Sequence, residues 1–324
     1  MLQHLDFLQI SLKLQIINMD RIKIFAPATV ANVSCGFDAL GLAINAVGDE
    51  MVLTKTIEKG VRISKIEGAD LTYNIKHNAA SVVVLAILNK VNADFGIDMQ
   101  LFKKVKPGSG LGSSASSAAG AAFAVNELLD KPFSKLELTE FARIGEEVAC
   151  GSPIADNVAA VIYGGFILVK SYKPLEIVKL PVPKDLWVAV IHPQIEVKTE
   201  DARIVIKQNI SIVDSVTQSA NLAGLISGLY TDDYQLISRS LIDVIAEPYR
   251  KFLIPLFDEV KQEGLKAGAL GIGISGSGPS IFALCKGEND AKKVGQAMRE
   301  VYQNSTIDFN IYVSKVNTEG VKIL

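Results

Sequence analysis

Residues 106–129 read KPGSGLGSSASSAAGAAFAVNELL. Gly108, Gly110 and Gly112 fall at alternate positions, and glycine lets a backbone take left-handed conformations and approach a ligand closely. Ser113 and Ser114 then open a run of Ala, Ser and Gly that reads as a slim helix. The first turn of a helix carries unpaired N–H groups and partial positive charge, so phosphate is a natural guest there. Lys106 adds a positive charge just before the loop. The candidate anion cradle is therefore Lys106, Pro107, Gly108, Ser109, Gly110, Leu111, Gly112, Ser113 and Ser114.

A rival motif overlaps it. Gly110 to Ala115 matches GxGxxA, the dinucleotide fingerprint of NAD-dependent oxidoreductases, and Asp130 lies twenty residues beyond Gly110. That fingerprint needs its acid at the end of a second strand, whereas Asp130 closes a helix in LLDKPFS. A second formal match at Gly271–Gly276 leads into a strand rather than a helix. The GxxxxGK[ST] loop of the common NTPases is absent from the sequence.

Outward from the loop, short strands are expected at Ile22–Phe25, ended by Pro27, at Met51–Ile57 paired with Val61–Ile66, and at Gln100–Val105. Residues 33–42 read as a glycine-punctuated loop, His77–Phe95 as a buried helix, and Gly165–Val169 as a strand. Ser134 with Glu137 is a capping box that opens a helix to about Cys150. Pro174, Pro181 and Pro183 mark a boundary. Beyond it come strand LWVAVIHP, helices to about Ala267, a helix near 290–303 and strand FNIYVSKV. There is no regular βαβ rhythm, so the fold class is α+β. The expected division is an extension at 1–20, a domain at 21–180 and a second at 181–324.

In the 134–150 helix, Leu138, Phe141, Ile144, Gly145 and Val148 form the expected apolar face, with Glu140, Arg143 and Glu147 opposite. Glu146 falls at the border, where its carboxylate faces a cleft or makes a boundary salt bridge. Asp156 and Asn157 stand among Pro153, Ile154, Ala155 and Val158. Polar groups in such company are satisfied or functional, and a helix cap is the plain alternative.

Composition narrows the class. The 324 residues are 49% hydrophobic and 21% charged with formal net charge −2. A packed core is implied, and a nucleic-acid partner is not. Cys35, Cys150 and Cys285 are odd in number and far apart, which suggests neither a disulfide framework nor a zinc site and suits a reducing cytoplasm. The apolar-rich start contains Asp6 and Lys13 and shows neither a basic leader nor a small-residue cleavage site, so neither a membrane span nor a signal peptide is expected. Met19, directly before the first strand, is an alternative start.

Six blocks, in order, resemble the homoserine kinases, a branch of the GHMP small-molecule kinase superfamily: APATVANVSCGFDALGLA at 26–43, KPGSGLGSSASSAAG at 106–120, IGEEVACGSPIADNVAAVIYGGF at 144–166, VKTEDAR at 197–203, DVIAEPYR at 243–250 and GISGSGPSIFAL at 273–284. The resemblance spans about residues 21–324. It implies a two-domain GHMP kinase fold, with a ribosomal protein S5 domain 2-like amino-terminal domain, a ferredoxin-like carboxy-terminal domain and ATP in the cleft between them.

It also implies roles. Loop 108–114 would wrap the ATP phosphates, supported by Gly276, Ser277 and Gly278, with Asn78 near the adenosine. Ser114 and Glu146 would hold Mg²⁺. Asn32 and Asp38 would bind the amino-acid part of L-homoserine, Arg203 and Arg250 its carboxylate and the γ-phosphate, and Thr199 would lie near the transferred group. Asp156 matches a general base of some superfamily members, while Asn157 would neighbour the attacking hydroxyl. A zwitterionic substrate does need both an anion and a cation around it. For assembly the resemblance implies a homodimer.

The chain departs from the pattern at Ile154, where many homoserine kinases carry a histidine. Three alternatives stay open: a GHMP kinase for another alcohol, the NAD-dependent oxidoreductase, and a nucleotide-binding sensor without turnover.

Overall fold

The computed structural model describes residues 20–324. The extension expected over 1–20, with Met19, lies outside the described residues except for Asp20. The chain first runs through β1 (Arg21–Ala31), β2 (Leu40–Thr56), β3 (Gly60–Glu67), α1 (Ala79–Lys90), β4 (Gly96–Phe102), α2 (Ser113–Leu128), α3 (Lys135–Cys150), α4 (Asp156–Tyr163), β5 (Phe166–Tyr172) and β6 (Leu175–Leu180). It continues through β7 (Leu186–Pro193), α5 (Thr199–Ile204), α6 (Ile212–Thr231), α7 (Tyr234–Ser240), α8 (Glu247–Arg250), α9 (Phe257–Lys266), β8 (Gly271–Ile274), β9 (Ile281–Lys286), α10 (Glu288–Gln303), β10 (Phe309–Lys315) and β11 (Lys322–Ile323).

The first sheet runs β11-β1-β2-β4-β3, with β5 on the start of β2 and β6 on β5. The second runs β10-β7-β9-β8. Its strands succeed one another as βαββαβ with β8 and β9 adjacent, the ferredoxin-like arrangement. The last strand returns to the first sheet through Ile24↔Ile323.

Three local expectations need correction. β1 does not stop at Pro27. It continues to Ala31, and the register with β2 shifts between Pro27 and Ala28. A proline cannot donate to the ladder, and a bulge is where an antiparallel pair tolerates it. The strand at 61–66 pairs in parallel with β4 rather than with 51–57. The region 33–42 is a loop only to Ala39, because β2 already starts at Leu40.

Helices α1, α2 and α4 pack on one face of the first sheet. Their small residues (Ala115, Ala118, Ala119, Ala121, Ala122, Ala159 and Ala160) are fully buried among Ile24, Met51, Leu53, Met99 and Val83. Alanine at these positions allows close helix approach while burying apolar area. A second cluster joins Val30, Leu40, Leu42 and Phe166 of the first sheet to Val188, Val190, Phe282 and Leu284 of the second. A shared apolar core of this kind holds the two layers in one orientation. Among the described residues no helix is long and apolar enough to cross a membrane.

Candidate active site

The glycine loop enters α2 as the sequence suggests. Gly108, Gly110 and Gly112 have φ of 68°, 76° and 67°. Gly112 stands in the left-handed N-cap position, and no side chain caps the helix. The first N–H groups of α2 therefore have no side-chain partner, which suits an anion. Ser113 does not serve with its hydroxyl, which donates to the Val105 carbonyl at 2.6 Å. Leu111 is buried in the shared core, so only its backbone borders the loop. Pro107 is exposed, and Ser109 is buried with its hydroxyl accepting from the Leu111 N–H at 3.3 Å.

Strand β1 and the turn between β8 and β9 clamp the loop. Thr29 of β1 donates its N–H to the Leu111 carbonyl at 3.1 Å and its hydroxyl to Asn157 Oδ1 at 2.6 Å. From the second sheet, the Ser280 N–H donates to the Ser109 carbonyl at 3.2 Å, and Ser275 Oγ donates to the Gly110 carbonyl at 2.6 Å. Gly276 and Gly278 lie in the same turn with φ of 58° and 84°. The hydroxyl of Ser277 instead turns to its own neighbour, Gly278 O, at 3.3 Å. Ser275, rather than Ser277, is the side chain that touches the loop. Thr29 and Ser275 carry little signal in the sequence: Thr29 is a hydroxyl among the apolar residues of β1, and Ser275 follows the end of β8 in a glycine-rich turn.

The lysines also change roles. Lys106 is exposed, and its Nζ donates to Gln194 Oε1 at 2.5 Å. Lys103, unremarked in the sequence, is buried beneath the helix start. It pairs with Asp49 and donates to the Ser113 carbonyl and to Ser117 Oγ, both at 2.8 Å. Asp49 in turn accepts the Lys104 and Val105 N–H groups at 2.8 and 3.0 Å. A buried charge pair is tolerable only when its remaining valences are filled, as they are here.

Helix α3 buries one side of the expected apolar face, with Leu138 and Gly145 buried and Phe141 packed on the core. Ile144 and Val148 are exposed, whereas Leu138, Thr139, Ala142, Gly145 and Glu146 are buried. The reason is Gly145: a Cβ there would meet Ala79 O at 2.5 Å and Ala118 Cβ at 2.6 Å. The helix closes on α1 and α2 through that glycine and carries Glu146 inward. Burial pushes the Glu146 carboxyl up to about 7, with the Ser114 hydroxyl and the Lys103 charge pulling the other way. Its Oε1 is buried without a partner. Ser114 Oγ lies 3.7 Å from Cys150 Sγ at the end of the same helix, and burial raises that thiol to about 11.

Asp156 and Asn157 open α4 below the loop. Asp156 is pushed to about 7, first by burial and then by the Asp38 charge. Its Oδ1 accepts the Asn157 N–H at 2.7 Å.

Residues 32–38 form a turn of unusual backbone. Asn32, Val33, Ser34 and Asp38 all have positive φ, of 68°, 42°, 60° and 54°. Non-glycine residues adopt this region only where the surroundings hold them. The Asn32 amide does much of the holding: Nδ2 donates to Gly276 O at 3.1 Å and Oδ1 accepts the Asp38 N–H at 3.0 Å. Asp38 faces Arg203, whose two terminal nitrogens donate to its two oxygens at 3.0 and 3.2 Å. Arg250 is buried, donating to Ala202 O at 2.9 Å and Gly276 O at 2.8 Å. Burial lowers it to about 10, against the Asp38 charge. Both guanidinium groups stand over the Phe37 ring, at 5.9 and 5.2 Å. A cavity of about 260 Å³ opens beside Arg203, lined also by Phe37, Ile206, Ile210 and Ile245.

Two positions stand apart. Asn78 caps α1, with Oδ1 accepting the Ala80 and Ser81 N–H groups and Nδ2 donating to Thr72 O at 3.0 Å. Its polar atoms are already engaged. Thr199 opens α5, and its side chain lies outside the described residues.

This cradle beneath a helix start, bordered by buried carboxyls and an acid–arginine pair, belongs to a known design. The family of GHMP kinases matches through its N-terminal domain at residues 74–165 and its C-terminal domain at 225–304. Homoserine kinase of Chlorobium phaeobacteroides is 45% identical over 93% of this chain and 98% of its own. Homoserine kinase of Methanococcus maripaludis is 42% identical over 84% of this chain and 90% of its own. The crystal structure of homoserine kinase from Cytophaga hutchinsonii superposes with a TM-score of 0.92 at 49% identity, covering 94% of this chain and 98% of that one. A mevalonate kinase structure shares the fold alone, with a TM-score of 0.68 at 17% identity. The chain belongs to the homoserine kinase family of the GHMP kinases, and it is an ATP-dependent kinase acting on an alcohol.

Proposed function

We propose that the chain transfers the γ-phosphoryl group of ATP to the side-chain hydroxyl of L-homoserine, giving O-phospho-L-homoserine for threonine synthesis. The observation that carries the substrate is the Asp38–Arg203 pair beside buried Arg250. An amino-acid zwitterion fits such a site, its ammonium exchanging for Arg203 at Asp38 and its carboxylate for Asp38 at the guanidinium.

The phosphates rest on the N–H groups of the 108–114 loop and of the first turn of α2, with ATP lying between residues 21–180 and residues 181–324. Ser114 and Glu146 suit Mg²⁺: a hydroxyl and a buried carboxylate with one unpartnered oxygen form a hard donor set for such a cation. Bound there, the ion would neutralise charge on the transferring group. Asp156, whose proton affinity is raised toward neutrality, is suited to receive the hydroxyl proton. Asn157, held by Thr29, steadies the hydroxyl oxygen. Most of the rate then comes from positioning and charge neutralisation.

The test is ADP release with ATP and Mg²⁺, with and without L-homoserine. A large increase with homoserine and little with mevalonate or galactose is expected; no increase despite ATP binding would remove homoserine as substrate. Arg250→Ala is expected to raise the homoserine KM, or depress kcat, by roughly tenfold to a hundredfold, the cost of removing a charged hydrogen-bond partner. ATP binding should stay unchanged. A fall in ATP affinity would instead assign Arg250 to the nucleotide.

A further inference from the structure

Asp38 is held at three points. Its N–H donates to Asn32 Oδ1 and its carboxylate meets Arg203. Its carbonyl accepts the hydroxyl of Tyr172, 134 residues away, at 3.0 Å. The β2–β5 ladder explains why a side chain is needed there. The ladder pairs Leu40 with Leu168, and just beyond that pair the Val169 N–H donates to the Ala39 carbonyl at 2.8 Å. The next carbonyl outward, that of Asp38, is served by a tyrosine hydroxyl instead of a backbone N–H.

The same hydroxyl oxygen accepts the Ala155 N–H at 3.4 Å. Ala155 is the residue before Asp156, and no side chain caps its helix. The ring is fixed in turn. Arg143 stands over it at 5.5 Å and donates through Nε to Pro153 O at 2.8 Å, inside the same segment. Ile154 offers no polar side-chain atom, so the tyrosine supplies the polar link between the turn carrying Asp38 and the segment carrying Asp156.

We propose that Tyr172 is a positioning residue for the acceptor substrate, its hydroxyl holding Asp38 in the left-handed conformation that aims its carboxylate and tying that turn to the start of α4. The inference rests on Asp38 binding the acceptor, as in the reading above. Its physical basis is that φ near 54° is unfavourable for aspartate unless neighbours hold it. Loss of one of three anchors lets the carboxylate spread over several orientations. A substrate that needs one of them then binds more weakly.

The experiment is steady-state kinetics of Tyr172→Phe, which keeps the ring and its stacking on Arg143. The KM for the acceptor should rise by roughly fivefold to tenfold, the range for one hydrogen bond to a strained group. The KM for ATP should stay within about twofold and the melting temperature near that of the wild type. In an Asp38→Asn background the same replacement should add less than about twofold, because the hydroxyl acts through Asp38. An unchanged acceptor KM would overturn the proposal. So would a parallel rise of both KM values with a large fall in melting temperature, which marks plain packing, and so would full additivity with Asp38→Asn. The comparison uses whichever alcohol the wild-type enzyme phosphorylates. Failure of the homoserine reading therefore appears in the wild-type assay, and failure of this one only in the variant.

Discussion

Replacing Glu146 by glutamine is expected to lower kcat by roughly a hundredfold or more while the protein still folds, the scale seen when one charge-stabilising group of a transition state is removed. The carboxyl is buried with Oε1 unpartnered, and burial pushes it up to about 7. An isosteric amide keeps the volume against α1 and α2 and removes a charge that nothing in the protein balances fully. The effect on stability has a definite sign. The folded value lies above the ordinary 4.5, so the neutral carboxyl favours the folded state at low pH. That contribution is fully present below about pH 4.5 and is lost as pH rises through about 7. Glutamine does not titrate. Without nucleotide, the melting temperature of Glu146→Gln should therefore gain on that of the wild type between pH 5 and pH 8. Asp156, also raised to about 7, titrates in both proteins and largely drops out of the difference. Turnover near the wild-type rate would remove Glu146 from the metal site.

Gly110→Ala is expected to be a severely damaging change in the loop. A Cβ at Gly110 would lie 2.5 Å from the Ser275 carbonyl oxygen and 2.7 Å from that of Gly278, at a φ of 76°. The left-handed conformation alone costs alanine about 1–2 kcal/mol. The contacts add more, because both obstacles are backbone on the opposite sheet and neither swings away. The loop must then part from the 275–280 turn, losing the Ser275 hydroxyl bond to Gly110 O and the Ser280 N–H bond to Ser109 O. ATP affinity should fall by roughly tenfold or more, with a total destabilisation of about 2–4 kcal/mol. Gly108→Ala is the control. It has a similar φ of 68°, but its Cβ would meet the flexible Glu196 side chain at 2.7 Å. Equal losses in the two variants, measured by ATP titration and thermal melting, would show that the clamp between the sheets contributes nothing.

Much of this site is legible without coordinates because its determinants are local. Alternating glycines before a small-residue helix specify a left-handed approach and an uncapped helix start, and both occur at 108–113. The capping box of Ser134 and Glu137 forms as read, since its partners are three residues apart. The ordered blocks at 26–43, 106–120, 144–166 and 273–284 point to a kinase of the GHMP class, and the family comparison agrees.

The loop, the helix that follows it, the α+β class and the family are therefore written in the order of residues alone. The motifs act through neighbours within a turn or through residue order. The tertiary structure alone decided which face of α3 turns inward, because Gly145 closes on Ala79 and Ala118 and apolar periodicity does not register that contact. It also decided that Lys103 rather than Lys106 lies beneath the loop, that Ser275 rather than Ser277 touches it, and that Tyr172 reaches Asp38. These contacts join residues up to 165 positions apart. Each depends on where two separately formed elements come to rest, and a single lysine, serine or tyrosine on a strand end carries no periodic mark of its distant partner.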